Sequence, residues 1–424
     1  MAESTFRNPK LHRAVLIAYK ASADLAGKGS LFLITIVAAR RLSPQAFGIF
    51  SLGSAFGWLI AVATDCGIQL HLARAVSRAP ADAARLLAAW LRVRLWTAGM
   101  AMVVVAAGLM AWRGPVGYAV PIAIFALMYA CSSLIEFLYY FYRGMSRSDI
   151  ESSLTLWQRG GTLVCGLTAL AWRTDVTVLA LAMLAPIVVA LLVSLRISLR
   201  LAPVASADAV PDDDCAGVFR RDVWPIGAGI VLSALYFRID VFLVQLWSGT
   251  TSVALYNSVF RLVEALRLVP AAVLAVVLPT LCRAHDLRPV LRTCAWLGAF
   301  AAISTAVLWT AAGWLIAFVY GARYAPAVPA FRVLLLAFPL MSINYALTHQ
   351  LIGWDGQRTY AVACLIALGV NVAMNARLIP AWSIEGAAWS TLGTEAFLTL
   401  ACAAILWTRR APLALLRREN EVMA

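Results

Sequence analysis

Charged side chains are scarce in this chain. They make up 13% of its 424 residues, whereas about 25% is usual in soluble domains. Hydrophobic residues make up 62%, and the mean hydropathy is +0.82. So few charges cannot cover a surface that faces water. This scarcity excludes an ordinary soluble protein and indicates a chain surrounded by lipid.

Lysine is rarer still, with three residues at positions 10, 20 and 28. A P-loop needs Gly-Lys-Ser/Thr, and no lysine follows residue 28, so ATP hydrolysis by that route is excluded. HExxH, GxSxG and dinucleotide-binding motifs are absent as well, and no long polar segment is large enough to fold into an enzymatic domain. We therefore predict a transporter, not an enzyme, with no catalytic residues and no cofactor.

The cysteines form no CxxC pair, although the chain has eight of them. They lie mostly within apolar stretches, which predicts structural thiols and no disulfide framework or metal site. Asp212, Asp213 and Asp214 occur in a polar segment rich in Pro and Ala. We interpret them as part of a solvated linker, since too few residues surround them to build a metal site.

Twelve apolar stretches are long enough to span a bilayer, which takes about 20 helical residues. They predict an all-α polytopic protein with helices at 14–39, 45–65, 86–111, 117–141, 150–172, 176–199, 222–247, 252–281, 290–319, 329–352, 358–379 and 383–408. Gly53 and Gly57 form a GxxxG pattern, which predicts close helix packing.

A local signature in the first half returns in the second. Gly48-Ile-Phe-Ser51 is echoed by Ala254-Leu-Tyr-Asn257, at an offset of 206, close to half of the 424 residues. Such duplication is typical of transporters. The predicted organisation is a six-helix lobe at 1–200, a cytoplasmic linker at 201–221, a second six-helix lobe at 222–408 and a cytoplasmic tail at 409–424.

Basic residues in the connections predict the orientation. With the N-terminus inside, nineteen lie in cytoplasmic segments and six in outer ones, the six being Arg40, Arg41, Arg113, Arg173, Arg323 and Arg377. This bias places both termini in the cytoplasm. The first span is expected to remain as an anchor. The net charge of +14 is explained by the same connections and does not indicate a nucleic-acid partner.

Ionisable residues inside the spans are the candidate functional groups, because each costs about 2.5–3.5 kcal/mol at the bilayer centre. Lys20, Asp24 and Lys28 share one face of the first span, four residues apart. They form either an internally paired ladder or the wall of a water-filled cavity, and the depth of Lys28 favours the cavity.

A second group occurs in the seventh and eighth spans. Arg238 and Asp240 are too far apart around a helix to pair with each other, so each is expected to face another helix or a cavity. Arg261, Glu264 and Arg267 follow at intervals of three. The five form either a structural network or a site with positive charge left for an anion.

Other ionisable residues are isolated along the spans. Arg159 and Glu395 lie near mid-depth without a partner on their own helix and are either packing residues or functional ones. Four residues nearer the cytoplasmic ends are expected to snorkel to the interface, namely Asp65, Arg92, Arg94 and Glu136.

Several runs, in order along nearly the whole chain, resemble the polysaccharide flippases, including the Wzx-type O-antigen transporters. The runs are Arg40-Arg-Leu-Ser-Pro-Gln-Ala-Phe-Gly-Ile-Phe50, Asp65-Cys-Gly67, Tyr236-Phe-Arg-Ile-Asp240, Ala254-Leu-Tyr-Asn-Ser-Val-Phe-Arg-Leu-Val-Glu264, Leu278-Pro-Thr-Leu281, Asn371-Val-Ala-Met-Asn-Ala-Arg-Leu-Ile-Pro380 and Glu385-Gly-Ala-Ala388. The resemblance implies the superfamily of MATE exporters and lipid II flippases. In that fold, two six-helix lobes form a V around a cavity that opens alternately to each side.

The resemblance also implies a function. Such a flippase moves a polyprenyl-pyrophosphate-linked oligosaccharide across the bacterial cytoplasmic (inner) membrane for O-antigen or related surface polysaccharides, beside a polysaccharide polymerase. Cationic groups would neutralise the diphosphate or acidic sugars, with Lys20, Lys28, Arg159, Arg238, Arg261 and Arg267 as candidates. Acids would couple H⁺ or Na⁺ entry, with Asp24, Asp240, Glu264 and Glu395 as candidates. The alternatives are an ion-coupled exporter of drugs or metabolites with the same fold and an oligosaccharide polymerase.

Overall fold

A computed structural model describes residues 9–111, 116–201, 217, 219, 223–283, 286–354 and 356–423. Within these residues the chain is helical, with no strand. Two compact units are present, Met1–Val231 and Leu232–Ala424. The domain boundaries predicted from sequence remain a prediction, and the predicted linker at 201–221 lies almost wholly outside the described residues.

The first unit contains seven α-helices and the beginning of an eighth. They are α1 Pro9–Arg41, α2 Pro44–Asp65, α3 Ile68–Arg78, α4 Ala83–Ala111, α5 Val116–Gly144, α6 Ser148–Trp172 and α7 Val176–Leu201. Helix α5 packs against α2, α3 and α7, and α6 packs against α1 and α7. The short α3 was not predicted from the sequence.

Local chemistry explains where these helices begin and how closely they pack. Ser43 caps α2 by accepting a hydrogen bond from the Ala46 backbone N–H at 3.1 Å, and Pro44 follows at a position where no N–H is needed. A Cβ added at Gly53 would lie 2.7 Å from the Phe125 ring, and one at Gly57 would lie 2.7 Å from the Tyr129 ring. The GxxxG prediction of close packing is confirmed.

The second unit holds most of α8 and all the later helices. These are α8 Trp224–Leu266, α9 Leu268–Arg283, α10 Arg288–Tyr320, α11 Val328–Gly353 and α12 Gln357–Met423. Gly249 divides α8 into two arms with φ 81°, and Ser383 divides α12 with φ 50°. Helix α11 packs against α9, α10 and α12. The predicted continuous span 252–281 is wrong, because a turn at Arg267 separates α8 from α9.

Length and apolar composition qualify seven helical segments of the described chain to cross a membrane. One of them, Arg358–Thr408, has 51 residues and includes both arms of α12. Counting the two arms of α12 separately gives eight, and the long helices α1 and α6 with the two arms of α8 bring the number to twelve. The prediction of an all-helical membrane protein with about twelve spanning helices is confirmed.

Candidate functional site

Three arginines surround one carboxylate in the second unit. Arg238, on the first arm of α8, approaches Glu264 on the second arm with Nη2 at 3.2 Å from both carboxylate oxygens. Arg261 Nη1 approaches the same carboxylate at 2.8 Å. Arg267 also interacts electrostatically with Glu264. The bend at Gly249 brings the two arms together, and we call Arg238, Arg261, Glu264 and Arg267 the arginine cluster.

Aromatic rings hold two of these guanidinium groups in place. The Arg238 guanidinium carbon lies 5.2 Å from the Phe237 ring centre and 5.1 Å from that of Phe260. For Arg267 the distance is 4.5 Å to Phe237, and its Nη2 donates to the Tyr345 hydroxyl at 3.4 Å. Such contacts hold a guanidinium group in position without neutralising its positive charge.

Exposure differs within the arginine cluster. The Arg238 side chain is 5% exposed, Arg261 is 16% exposed and Glu264 is 32% exposed. Arg267 is half-buried. Arg238 is therefore the most buried of the four side chains, while Arg261, Glu264 and Arg267 are more accessible.

Two further buried carboxylates are satisfied by neutral donors. Asp240 accepts from the Tyr256 hydroxyl and from the Val241 backbone N–H at 2.9 Å. Tyr256 is also within 3.3 Å of Thr391 on α12. The prediction that Arg238 and Asp240 face different partners, rather than each other along the helix, is confirmed.

Glu395, on α12, is the second of these buried carboxylates. It accepts from the Tyr236 hydroxyl at 2.9 Å and from the Asn344 side-chain amide at 2.6 Å. The contact joins α8, α11 and α12. Sequence reasoning found Glu395 but missed its partners, because a tyrosine and an asparagine in apolar helices carry no periodic signal.

A cavity of about 260 Å³ opens within the first unit, among α3, α5 and α6. Its lining includes Gln69, Glu136, Tyr140, Arg143, Glu151, Gln158 and Arg159. We call it the N-unit cavity. Arg159 lies beside α1, where a Cβ added at Gly27 would come within 3.3 Å of its Cγ. The glycine thus gives the long arginine side chain room to reach the cavity.

The other candidate residues of the first unit, two lysines and one aspartate, lie on α1. Lys28 is exposed. The side chains of Lys20 and Asp24 lie outside the part of the chain that the structure describes. The cavity roles of the three residues remain predictions.

The expectation that Asp65 and Arg94 snorkel to the interface is wrong, because both side chains are buried. Arg94 is fully buried; its guanidinium donates to Ser133 at 2.5 Å and lies 3.8 Å from Asp65. Glu136 lines the N-unit cavity. The burial of Arg94 depends on which face of α4 is turned inward, and depth along a helix does not reveal that.

No group of three or more His, Cys, Asp or Glu side chains among the described residues is arranged to hold a metal ion. The seven cysteines of that part of the chain are free thiols.

Solved structures share this fold at low sequence identity. An inward-facing multidrug resistance MATE family transporter of the MOP superfamily is 13% identical, with a TM-score of 0.75 over 91% of this chain and 95% of that chain. The lipid II flippase MurJ, in an inward closed conformation, is 12% identical, with a TM-score of 0.66 over 94% of this chain and 90% of that chain. A MOP superfamily transporter from Pyrococcus furiosus is 15% identical, with a TM-score of 0.61 over 94% and 96% of the two chains.

Sequence comparison identifies the family. No curated protein matches the chain in sequence. Residues 17–285, more than half of the chain, match the family model for polysaccharide biosynthesis proteins. The chain therefore belongs to the polysaccharide biosynthesis protein family and has the fold of the MOP superfamily transporters.

Proposed function

We propose that this protein flips a polyprenyl-pyrophosphate-linked oligosaccharide across the bacterial cytoplasmic membrane by alternating access. Family membership supports a role in polysaccharide synthesis. The fold is shared by a lipid II flippase. The polyprenyl tail of the cargo would stay in lipid while its polar part enters a water-filled cavity. That cavity would open first to the inside and then to the outside of the membrane.

The arginine cluster carries the proposal. Its three guanidinium groups surround a single carboxylate, so the cluster itself has an excess of positive charge. Guanidinium groups bind phosphate oxygens through paired N–H donors, which suits a diphosphate. Arg261 and Arg267 would bind the cargo, and the Arg238–Glu264 pair would hold them in position.

A double variant, Arg261→Gln with Arg267→Gln, tests this role. It removes the two more accessible charges and keeps the buried Arg238–Glu264 pair, so the protein should still fold. In proteoliposomes containing fluorescent lipid-linked oligosaccharide, flipping should fall at least tenfold, as losing about 1.4 kcal/mol of binding would produce. The corresponding Lys variants should recover part of the activity.

The matched control is Arg332→Gln. Arg332 is also half-buried in the second unit, but it lies 5.9 Å from the Trp309 ring centre and outside the arginine cluster. Its replacement should leave flipping unchanged. Normal flipping by the well-folded double variant would refute the cationic role of the cluster.

An ion-coupled exporter of drugs or metabolites is the second candidate. It is favoured by the MATE fold and by the buried acids Asp240 and Glu395, each held by a tyrosine hydroxyl. An exporter would lower the accumulation of a cationic dye in cells and would leave lipid-linked oligosaccharide unmoved in proteoliposomes. A flippase would show the reverse. The same acids would supply H⁺ or Na⁺ coupling in either case.

A further inference from the structure

The N-unit cavity contrasts with the arginine cluster in its charge. Arg143 binds Glu151 through two hydrogen bonds, of 2.9 Å from Nε and 2.5 Å from Nη2. Arg159 and Glu136 also attract each other across the cavity. The lining therefore combines two guanidinium groups with two carboxylates, and a diphosphate entering it would meet as much negative charge as positive.

Two amide side chains in the lining have hydrogen-bonding atoms that no described residue satisfies. Gln158, on α6, is 4% exposed, and its buried Nε2 has no hydrogen-bond partner there. Gln69, on α3, has a buried Oε1 in the same condition. A buried polar atom without a partner is unfavourable, so a donor and an acceptor in one cavity indicate a ligand that supplies both complements.

Sugar hydroxyl groups match this pair, because each hydroxyl donates one hydrogen bond and accepts others. The cavity also has a fixed aromatic wall: the Arg143 guanidinium carbon lies 4.2 Å from the Tyr140 ring centre and is anchored by Glu151. An aromatic face packs well against the C–H face of a sugar ring. The volume of about 260 Å³ is just below the lower end, roughly 300 Å³, of sites for drug-sized molecules, which limits the occupant to about one sugar unit.

We propose that the N-unit cavity binds one uncharged sugar unit of the lipid-linked oligosaccharide. The inference rests on the proposed flippase function. It assigns recognition of the glycan to Gln69 and Gln158 of the first unit, and recognition of the diphosphate to the arginine cluster of the second.

Gln158→Met tests the proposal, since methionine keeps the unbranched shape and removes the amide. The cargo is the lipid-linked oligosaccharide extracted from cells that lack this protein, reconstituted with purified protein in proteoliposomes. Flipping should fall about three- to tenfold, the loss expected from one neutral hydrogen bond. Thermal stability in detergent should stay the same or rise, because the unliganded protein loses a buried unsatisfied amide. A Gln69→Met variant should behave likewise.

The matched control is Gln245→Met. Gln245 lies on α8, outside the cavity lining, and its Oε1 is also buried without a partner among the described residues. Its loss should leave flipping unchanged. If Gln158→Met flips the cargo at the wild-type rate, or only loses thermal stability, the sugar assignment is wrong.

Binding of farnesyl diphosphate, which carries no sugar, separates the two sites. Gln158→Met should bind it as the wild type does, and Arg261→Gln with Arg267→Gln should bind it at least tenfold more weakly. Weaker binding by Gln158→Met would mean that the cavity takes the diphosphate, which would overturn the proposal. If cells lacking the protein accumulate no lipid-linked oligosaccharide, or wild-type protein does not flip it, the proposed function itself fails.

Discussion

At the scale of single residues, ionisable groups inside the helices divide into those that stabilise the fold and those available to a ligand. Arg94 and Asp65 belong to the first kind, since Arg94 is fully buried and Asp65 accepts from the backbone N–H groups of Gly67 and Gln69 at 3.1 and 3.2 Å. Asp65 therefore caps α3 while it neutralises Arg94. This pair also fixes the helix that carries Gln69 into the N-unit cavity.

The Arg94–Asp65 pair makes a quantitative prediction. Arg94→Met should lower the free energy of unfolding by about 3 kcal/mol, because it leaves a buried carboxylate without its cation. Adding Asp65→Asn should recover part of that loss, because a neutral amide at position 65 does not need a cation beside it. Thermal melting in detergent and the amount of monodisperse protein check both variants. A double variant as unstable as the sum of the two single ones would show that the pair is not coupled.

Arg92 offers the matched control for this experiment. It precedes Arg94 by two residues on α4, but its side chain is exposed and not enclosed. Arg92→Met should leave the melting temperature nearly unchanged. A similar loss from both arginines would indicate a general effect on membrane insertion.

At the scale of helices, two breaks of different chemistry shape the second unit. Gly249 has φ 81°, which glycine tolerates, whereas Ser383 has φ 50° with ψ −125°, a conformation that strains a residue with a Cβ. Ser383→Gly should therefore stabilise the protein by about 1 kcal/mol, and Gly249→Ser should destabilise it by a similar amount or more. Melting temperatures of the two variants check the opposite signs. A lower melting temperature for Ser383→Gly would contradict the strain.

The helices were largely predictable from the sequence, and the breaks were less so. Long apolar stretches gave the spans, since lipid requires continuous helices to satisfy backbone groups. The turn at Arg267 and the short α3 were missed, because Arg267 occurs within an apolar stretch and α3 is too polar to appear as a span. The arginine cluster was predicted as a set of residues. The N-unit cavity was not, because Gln69, Glu136 and Gln158 come together only when three helices pack.

At the scale of the whole molecule, large apolar side chains lie on the outside of the helices. Examples are Trp96, Trp157, Trp296 and Leu400, which are 70%, 81%, 78% and 72% exposed. So much apolar surface on one chain marks contact with lipid. This exposed apolar surface agrees with the low charge content. It does not determine the orientation of the chain in the membrane, which depends on the basic residues in the connecting segments.

The positive-inside bias makes that orientation testable. With nineteen basic residues predicted inside and six outside, the turn that joins α5 to α6 should face the cytoplasm, and the segment between α10 and α11 should face outward. In a cysteine-free variant, Ser146→Cys should be blocked only by reagents that cross the membrane, and so should Ala207→Cys in the predicted linker. Arg323→Cys should react with an impermeant maleimide added to intact cells. Labelling of Ala207→Cys from outside would overturn both the orientation and the division into two six-helix lobes, because an even number of crossings must precede a cytoplasmic linker.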